Sequence, residues 1–219
     1  MKTIITILNY IDIGAPLLAL LFFVSILTQN RLAKELLYIF YFICIQLVTN
    51  VTATVLEKLH ITNYSVYLLN IILSFLVLSI LFYELGIPLI RKIFPFSSLL
   101  FLGFATYSIA NGDGIETYNS IISAAASFII TAYCLIFFYW RLVKDKHYSG
   151  GITDSAFFWS AIGVFTYYTG SFFIFISYKY LIVREAEVIG ILWRFHNLLL
   201  TIFCIYSIYG LTCKNYQKT

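Results

Sequence analysis

Charged side chains fall in short clusters along the chain and leave seven uncharged stretches between them, at 13–30, 36–56, 59–83, 93–112, 117–140, 155–178 and 195–213. Each stretch is 18 to 25 residues long and almost continuously apolar. A helix crosses the hydrocarbon core of a bilayer in about 20 residues. A barrel strand needs only about ten and alternates polar with apolar positions. In lipid the backbone must satisfy its own hydrogen bonds, so a continuous apolar stretch of this length reads as a helix. The pattern predicts an all-α fold: a polytopic bundle of seven transmembrane helices at roughly 5–28, 35–57, 62–85, 93–111, 117–141, 155–179 and 187–213. These fill a single transmembrane domain over residues 1–219.

The intervals carry turn chemistry. Gln29-Asn30-Arg31 ends helix 1, Gly86 and Pro88 end helix 3, and Pro95 opens helix 4. Asn111-Gly112-Asp113-Gly114 forms a tight turn, Ser149-Gly150-Gly151 a flexible stretch, and Thr153 or Asp154 a cap for helix 6. The N-terminus reads as an uncleaved first helix, because Asp12 interrupts the apolar run and no small-x-small cleavage site follows it. There is no internal repeat of the kind that builds inverted-repeat transporters.

Composition strengthens the membrane assignment. Of 219 residues, 61% are hydrophobic and 11% charged, and the mean hydropathy is +0.91. A water-soluble domain carries about 25% charged residues. The net charge of +4 is scattered over 14 cations and 10 anions, which argues against a nucleic-acid partner. It speaks instead to orientation. The first, third and fifth loops and the C-terminus hold nine cations: Arg31, Lys34, Arg91, Lys92, Arg141, Lys144, Lys146, Lys214 and Lys218. The N-terminus and the other loops hold four: Lys2, Lys58, Lys179 and Arg184. The bias places the N-terminus outside and the C-terminus in the cytoplasm of a cell inner membrane. Cys44, Cys134, Cys204 and Cys213 are too far apart for a disulfide framework or a zinc site. Tyr38, Tyr64, Tyr83, Tyr139, Trp140, Trp159 and Tyr178 stand where spans meet water, as interfacial anchors do.

Polar groups at membrane depth are the candidates for function. Helix 7 has the densest set, Trp193, Arg194, His196 and Asn197. Arg194 either snorkels to the headgroups or forms an ion pair with Asp12 of helix 1, which lies at a similar depth. His196 has no histidine or carboxylate at i+3 or i+4, so it reads as a neutral imidazole bonded across helices, with a proton-sensing role as the alternative. In helix 2, Gln46, Asn50, Thr54 and Glu57 follow one helical face. That stripe is either the wall of a wet cavity or an interhelical hydrogen-bond seam. Asn70 of helix 3 can face it, and Tyr167, Tyr168 and Ser171 of helix 6 can add hydroxyls. The small residues Ser120, Ser123, Ala124, Ala125, Ala126 and Ser127 of helix 5, and Ser160, Gly163 and Gly170 of helix 6, read as close-packing positions.

Several chemistries have no sequence support. There is no nucleophile elbow, HExxH motif or phosphate loop. The last helix has no lysine between Phe195 and Cys213 for a retinal Schiff base. No metal, cofactor or catalytic residue is indicated.

Certain segments carry a family resemblance: Asn63-Tyr64 and Phe82-Tyr83 at the ends of helix 3, Phe157-Phe158-Trp159 and Tyr167-Tyr168-Thr169-Gly170-Ser171 in helix 6, and Trp193-x-x-His196 with Tyr206 and Tyr209 in helix 7. Over about two thirds of its length the chain resembles a family of uncharacterised seven-helix membrane proteins common in Bacteroidota. It departs at Asn70, near where that pattern has a histidine. The resemblance implies a fold and a membrane location and carries over no activity.

The functional expectation is a receptor-like sensor or ligand-binding module. Its outward polar pocket would be built from Asn50, Glu57, Asn70, Tyr167, Trp193, Arg194, His196 and Asn197, with an Asp12–Arg194 ion pair closing the seam between helices 1 and 7. With no output domain in the chain, it would signal through a cytoplasmic protein partner, alone or as a homo-oligomer in the lipid bilayer. The alternatives are a small-solute transporter or channel subunit, and a lipid-modifying enzyme with His196 and Glu57 as acid and base.

Overall fold

A computed structural model describes residues 2–29, 32–112, 114–144, 152–184 and 186–213. Among these, seven long helices account for nearly all of the structure: α1 Lys2–Leu27, α2 Lys34–Lys58, α3 Tyr64–Glu84, α4 Pro88–Asn111, α5 Ser120–Tyr139, α6 Ala156–Arg184 and α7 Ala186–Leu211. Every one of them contains a segment long and apolar enough to cross a membrane, and the chain is a multi-pass membrane protein with an all-α, seven-helix fold. Asn30, Arg31, Asp113, the 149–151 stretch, Lys146, Lys214 and Lys218 lie outside the described residues.

The helices form a ring in chain order. α1 packs on α2, α2 on α3, α3 on α5, α5 on α6, and α6 on α7, and α7 closes back on α1. α4 sits outside, against α3 and α5, and buries only Ile90, Phe101 and Ala105. Across the middle, α2 also meets α6. Large apolar side chains such as Val48, Phe96, Leu99, Phe128 and Ile205 face outward. In water such a surface would drive aggregation, and in a bilayer it is simply solvated by lipid.

α6 runs to Arg184 rather than to 179, so Lys179 and Arg184, expected in a loop, lie in its last turns, and three further boundaries differ from the sequence expectation in the residues that set them. Pro88 does not end α3. It stands in the first turn of α4, where its missing N–H costs nothing. The stop belongs to Gly86, whose φ of +74° suits glycine. Pro95, expected to open α4, lies inside it. Arg91 and Lys92 therefore belong to the first turns of the helix, from which long cationic side chains can reach the headgroups. At α6, Ser155 takes the cap position expected of Thr153 or Asp154. The Phe158 amide donates to its carbonyl at 3.1 Å and its hydroxyl at 3.4 Å. Thr153 instead accepts the Trp159 indole N–H at 2.7 Å.

The small residues act where helices come closest. A methyl added at Gly163 would stand 3.0 Å from the Phe203 carbonyl oxygen, and one at Gly170 would collide with Leu199. Both glycines thus let α6 lie directly on α7. On α5, Ser120, Ser123, Ala124, Ala126 and Ser127 are buried.

Candidate functional site

The polar positions of five helices converge in the half of the bundle that contains the start of α7 and the end of α2. The α2 stripe follows the 3.6-residue period, so Gln46, Asn50 and Thr54 point the same way. Tyr67, Asn70 and Ser74 do the same on α3. Gln46 donates to Asn70 Oδ1 at 3.1 Å and to Ser74 Oγ at 3.0 Å. Asn70 donates back to Gln46 Oε1 at 3.4 Å, and Ser74 donates to Asn70 Oδ1 at 3.0 Å. Asn50 reaches α1 and donates to the Asp12 carbonyl at 2.9 Å, which ties the first helix to the second.

On the opposite wall, His196 spans the seam between α7 and α6. Its Nε2 lies 3.2 Å from the Tyr167 hydroxyl and its Nδ1 lies 3.0 Å from the Ser171 hydroxyl. Hydroxyls can donate or accept, so both ring nitrogens are satisfied in either neutral tautomer. The rings of Tyr167, Phe175 and Trp193 surround the imidazole at centroid distances of 5.1, 5.2 and 5.6 Å. Trp193 also meets Tyr67 at 87° and Tyr118 at 84°, edge to face. Aromatic quadrupoles favour this arrangement.

These walls enclose a cavity of about 40 Å³, lined on one side by Gln46, Asn50, Asn70 and Ser74 and on the other by Tyr167, Ser171, Trp193, His196 and Asn197. That volume admits water and falls well short of a typical ligand site. Next to it is a vestibule of about 490 Å³, walled by Tyr10, Asp12, Thr54, Glu57, Lys58 and Arg194 among others. Cavity and vestibule share Asp12, Tyr67, Trp193 and Asn197. One Asp12 carboxylate oxygen, Oδ1, is buried with no hydrogen-bond partner.

Toward the other end of the bundle the lining turns apolar. Phe42 packs its ring against Tyr167, Tyr168 and Phe203 at 6.1, 6.0 and 5.1 Å. One to two turns further along, Ile39, Leu78, Phe82 and Phe137 are buried. This is a floor of about three helical turns in which large apolar side chains predominate, interrupted by the buried hydroxyls of Ser79, Ser160 and Ser207.

The geometry resolves the reading of the α2 stripe. It is a hydrogen-bond seam and a cavity wall at once. Asn50, Asn70, Tyr167, Trp193, His196 and Asn197 line the cavity, and Glu57, Arg194, Trp193 and Asn197 line the vestibule. Asp12 and Arg194 share the vestibule wall. His196 and Glu57 do not share a wall, since the first belongs to the cavity and the second to the vestibule. Sequence reasoning missed Tyr67, Ser74, Tyr118 and Phe175. The i, i+3, i+7 spacing of Tyr67, Asn70 and Ser74 was a usable signal. Tyr118, which precedes α5, offered none. Among the described residues, no three His, Cys, Asp or Glu side chains gather as a metal site would require. No family model, curated protein or solved structure matches the chain.

Proposed function

We propose that the chain is a receptor-like sensor of a cell inner membrane, with its N-terminus outside, that binds a small ligand in the vestibule and passes the change to a cytoplasmic partner. One observation carries this reading: a polar cavity and vestibule at one end of the bundle rest on a floor of mostly apolar packing, broken only by small hydroxyls such as Ser79 and Ser207. A binding site needs access from one side only, whereas a transport path needs polar lining or mobility through the floor as well. The cation bias of the loops puts the vestibule outside. In this orientation the cytoplasmic end offers a second depression of about 340 Å³, with Glu35, Glu84, Trp140 and Arg141 on its walls, as a contact surface for a partner.

Ligand that binds only the folded state raises the unfolding temperature. The purified chain in lipid nanodiscs is expected to be stabilised by at least one member of a panel of small polar metabolites. An Asn50→Leu variant, which unties α1 from α2, is expected to respond less. An unfolding temperature unmoved by the whole panel would contradict the reading.

A further inference from the structure

The vestibule joins two anionic side chains, Asp12 and Glu57, to two cationic ones, Lys58 and Arg194. Its fixed charges therefore balance. A net anion brought among them would face two carboxylates, and a net cation would face a guanidinium and an ammonium. A neutral molecule that carries both charges avoids either mismatch.

The two ends of the site differ in chemistry. At the inner end stand Asp12, Tyr67 and Trp193, where vestibule and cavity meet. The Tyr67 and Trp193 rings lie 5.6 Å apart at 87°, which makes a corner with two aromatic walls. Tyr118 backs that corner, 5.4 Å from Trp193 and 6.2 Å from Tyr67. Aromatic faces attract ammonium groups, and quaternary ones most selectively. Asp12 adds a buried carboxylate oxygen that no group in the protein hydrogen-bonds, while its backbone is held by Asn50. A buried acceptor of this kind is costly unless a donor or cation meets it. Arg194 of α7 and the exposed Lys58 of α2 also line the vestibule but not the cavity, and they suit a carboxylate or phosphate. The cavity of about 40 Å³ below is too small for an alkylammonium, so the ligand stops at the aromatic corner.

We propose that the vestibule binds a small zwitterion, with its ammonium end in the corner formed by Asp12, Tyr67 and Trp193 and its anionic end toward Arg194 and Lys58. This rests on the sensor reading and names its ligand class. The same chemistry belongs to free metabolites and to zwitterionic lipid headgroups, and the test separates them.

The experiment is calorimetric titration of the full chain in phosphatidylglycerol nanodiscs with four probes. Glycine betaine and β-alanine are zwitterions, tetramethylammonium is the cationic half alone, and acetate is the anionic half. At least one zwitterion is expected to bind, with each half weaker by roughly tenfold or more. Asp12→Asn is expected to weaken the zwitterion by a similar factor and not to weaken acetate, which loses a repelling carboxylate. Tyr67→Leu, which removes one aromatic wall of the ammonium corner and leaves the charges in place, serves the same purpose if Asp12→Asn fails to fold. Repeating the titration in discs that contain phosphatidylethanolamine distinguishes the sources: weaker apparent binding there assigns the site to a headgroup, and unchanged binding assigns it to a free metabolite. A half that binds as tightly as the zwitterion overturns the zwitterion assignment. So does a metabolite panel in which only ligands of single charge or no charge stabilise the chain, an outcome that leaves the sensor reading standing. Silence from all probes and from the whole panel overturns both.

Discussion

At the scale of single residues, the site depends on hydrogen bonds that cross between helices. In a membrane such bonds contribute modestly, because the separated helices also find partners. Removing either hydroxyl beside His196, by Tyr167→Phe or Ser171→Ala, is expected to cost about 1 kcal/mol in equilibrium unfolding in bicelles. Losses of zero for both would show that the imidazole is held by its aromatic neighbours alone. The reciprocal amide pair makes a sharper case. A single Gln46→Leu leaves Asn70 with fewer partners inside the protein, whereas Gln46→Leu with Asn70→Leu removes both sides. The double variant is expected to be no less stable than the worse single one, since an orphaned polar group costs more than a missing pair. Double-variant losses that simply add would contradict this. Half of this site was legible in the sequence. Asn50, His196 and Arg194 stand out because polar groups are expensive at that depth. Tyr67 and Tyr118 do not, because tyrosine is equally at home as an interfacial anchor, and only packing shows which tyrosines turn inward.

At the scale of elements, close approach of α6 to α7 sets the seam that His196 spans. Gly163→Ala places a methyl against the Phe203 backbone, which cannot swing aside as a side chain could. Its expected cost is about 1–3 kcal/mol. Gly14→Ala, in α1 with nothing within 4 Å of the new methyl, is expected to be neutral or stabilising by up to about 1 kcal/mol. Thermal unfolding of the two variants side by side checks the contrast, and equal shifts would undo it. The number of helices was readable from the sequence because charge is excluded from the hydrocarbon. Their ends were less so, since charge marks where the bilayer stops and not where the helix does. α4 begins at Pro88, ahead of Arg91 and Lys92, for that reason. Which apolar residues face inward was not readable at all. Phe42 is fully buried and Val48 is exposed. Lipid and protein interior are equally apolar, so hydrophobicity does not separate them.

At the scale of the whole molecule, orientation combines with a polar interior that is concentrated at one end of the bundle. Reporter fusions are expected to place the N-terminus outside and the C-terminus in the cytoplasm, and the reverse result would turn the vestibule inward. The central claim is that water reaches the vestibule from outside and stops at the floor. Cysteine accessibility along α2, in a chain whose four native cysteines are replaced, tests it most directly. With a small membrane-impermeant thiosulfonate applied to oriented vesicles, Thr54→Cys is expected to react rapidly from the outside only. Ile39→Cys and Phe42→Cys are expected to react from neither side. Thr54→Cys that reacts only from the cytoplasmic side, or Phe42→Cys that reacts readily from both, would contradict the account.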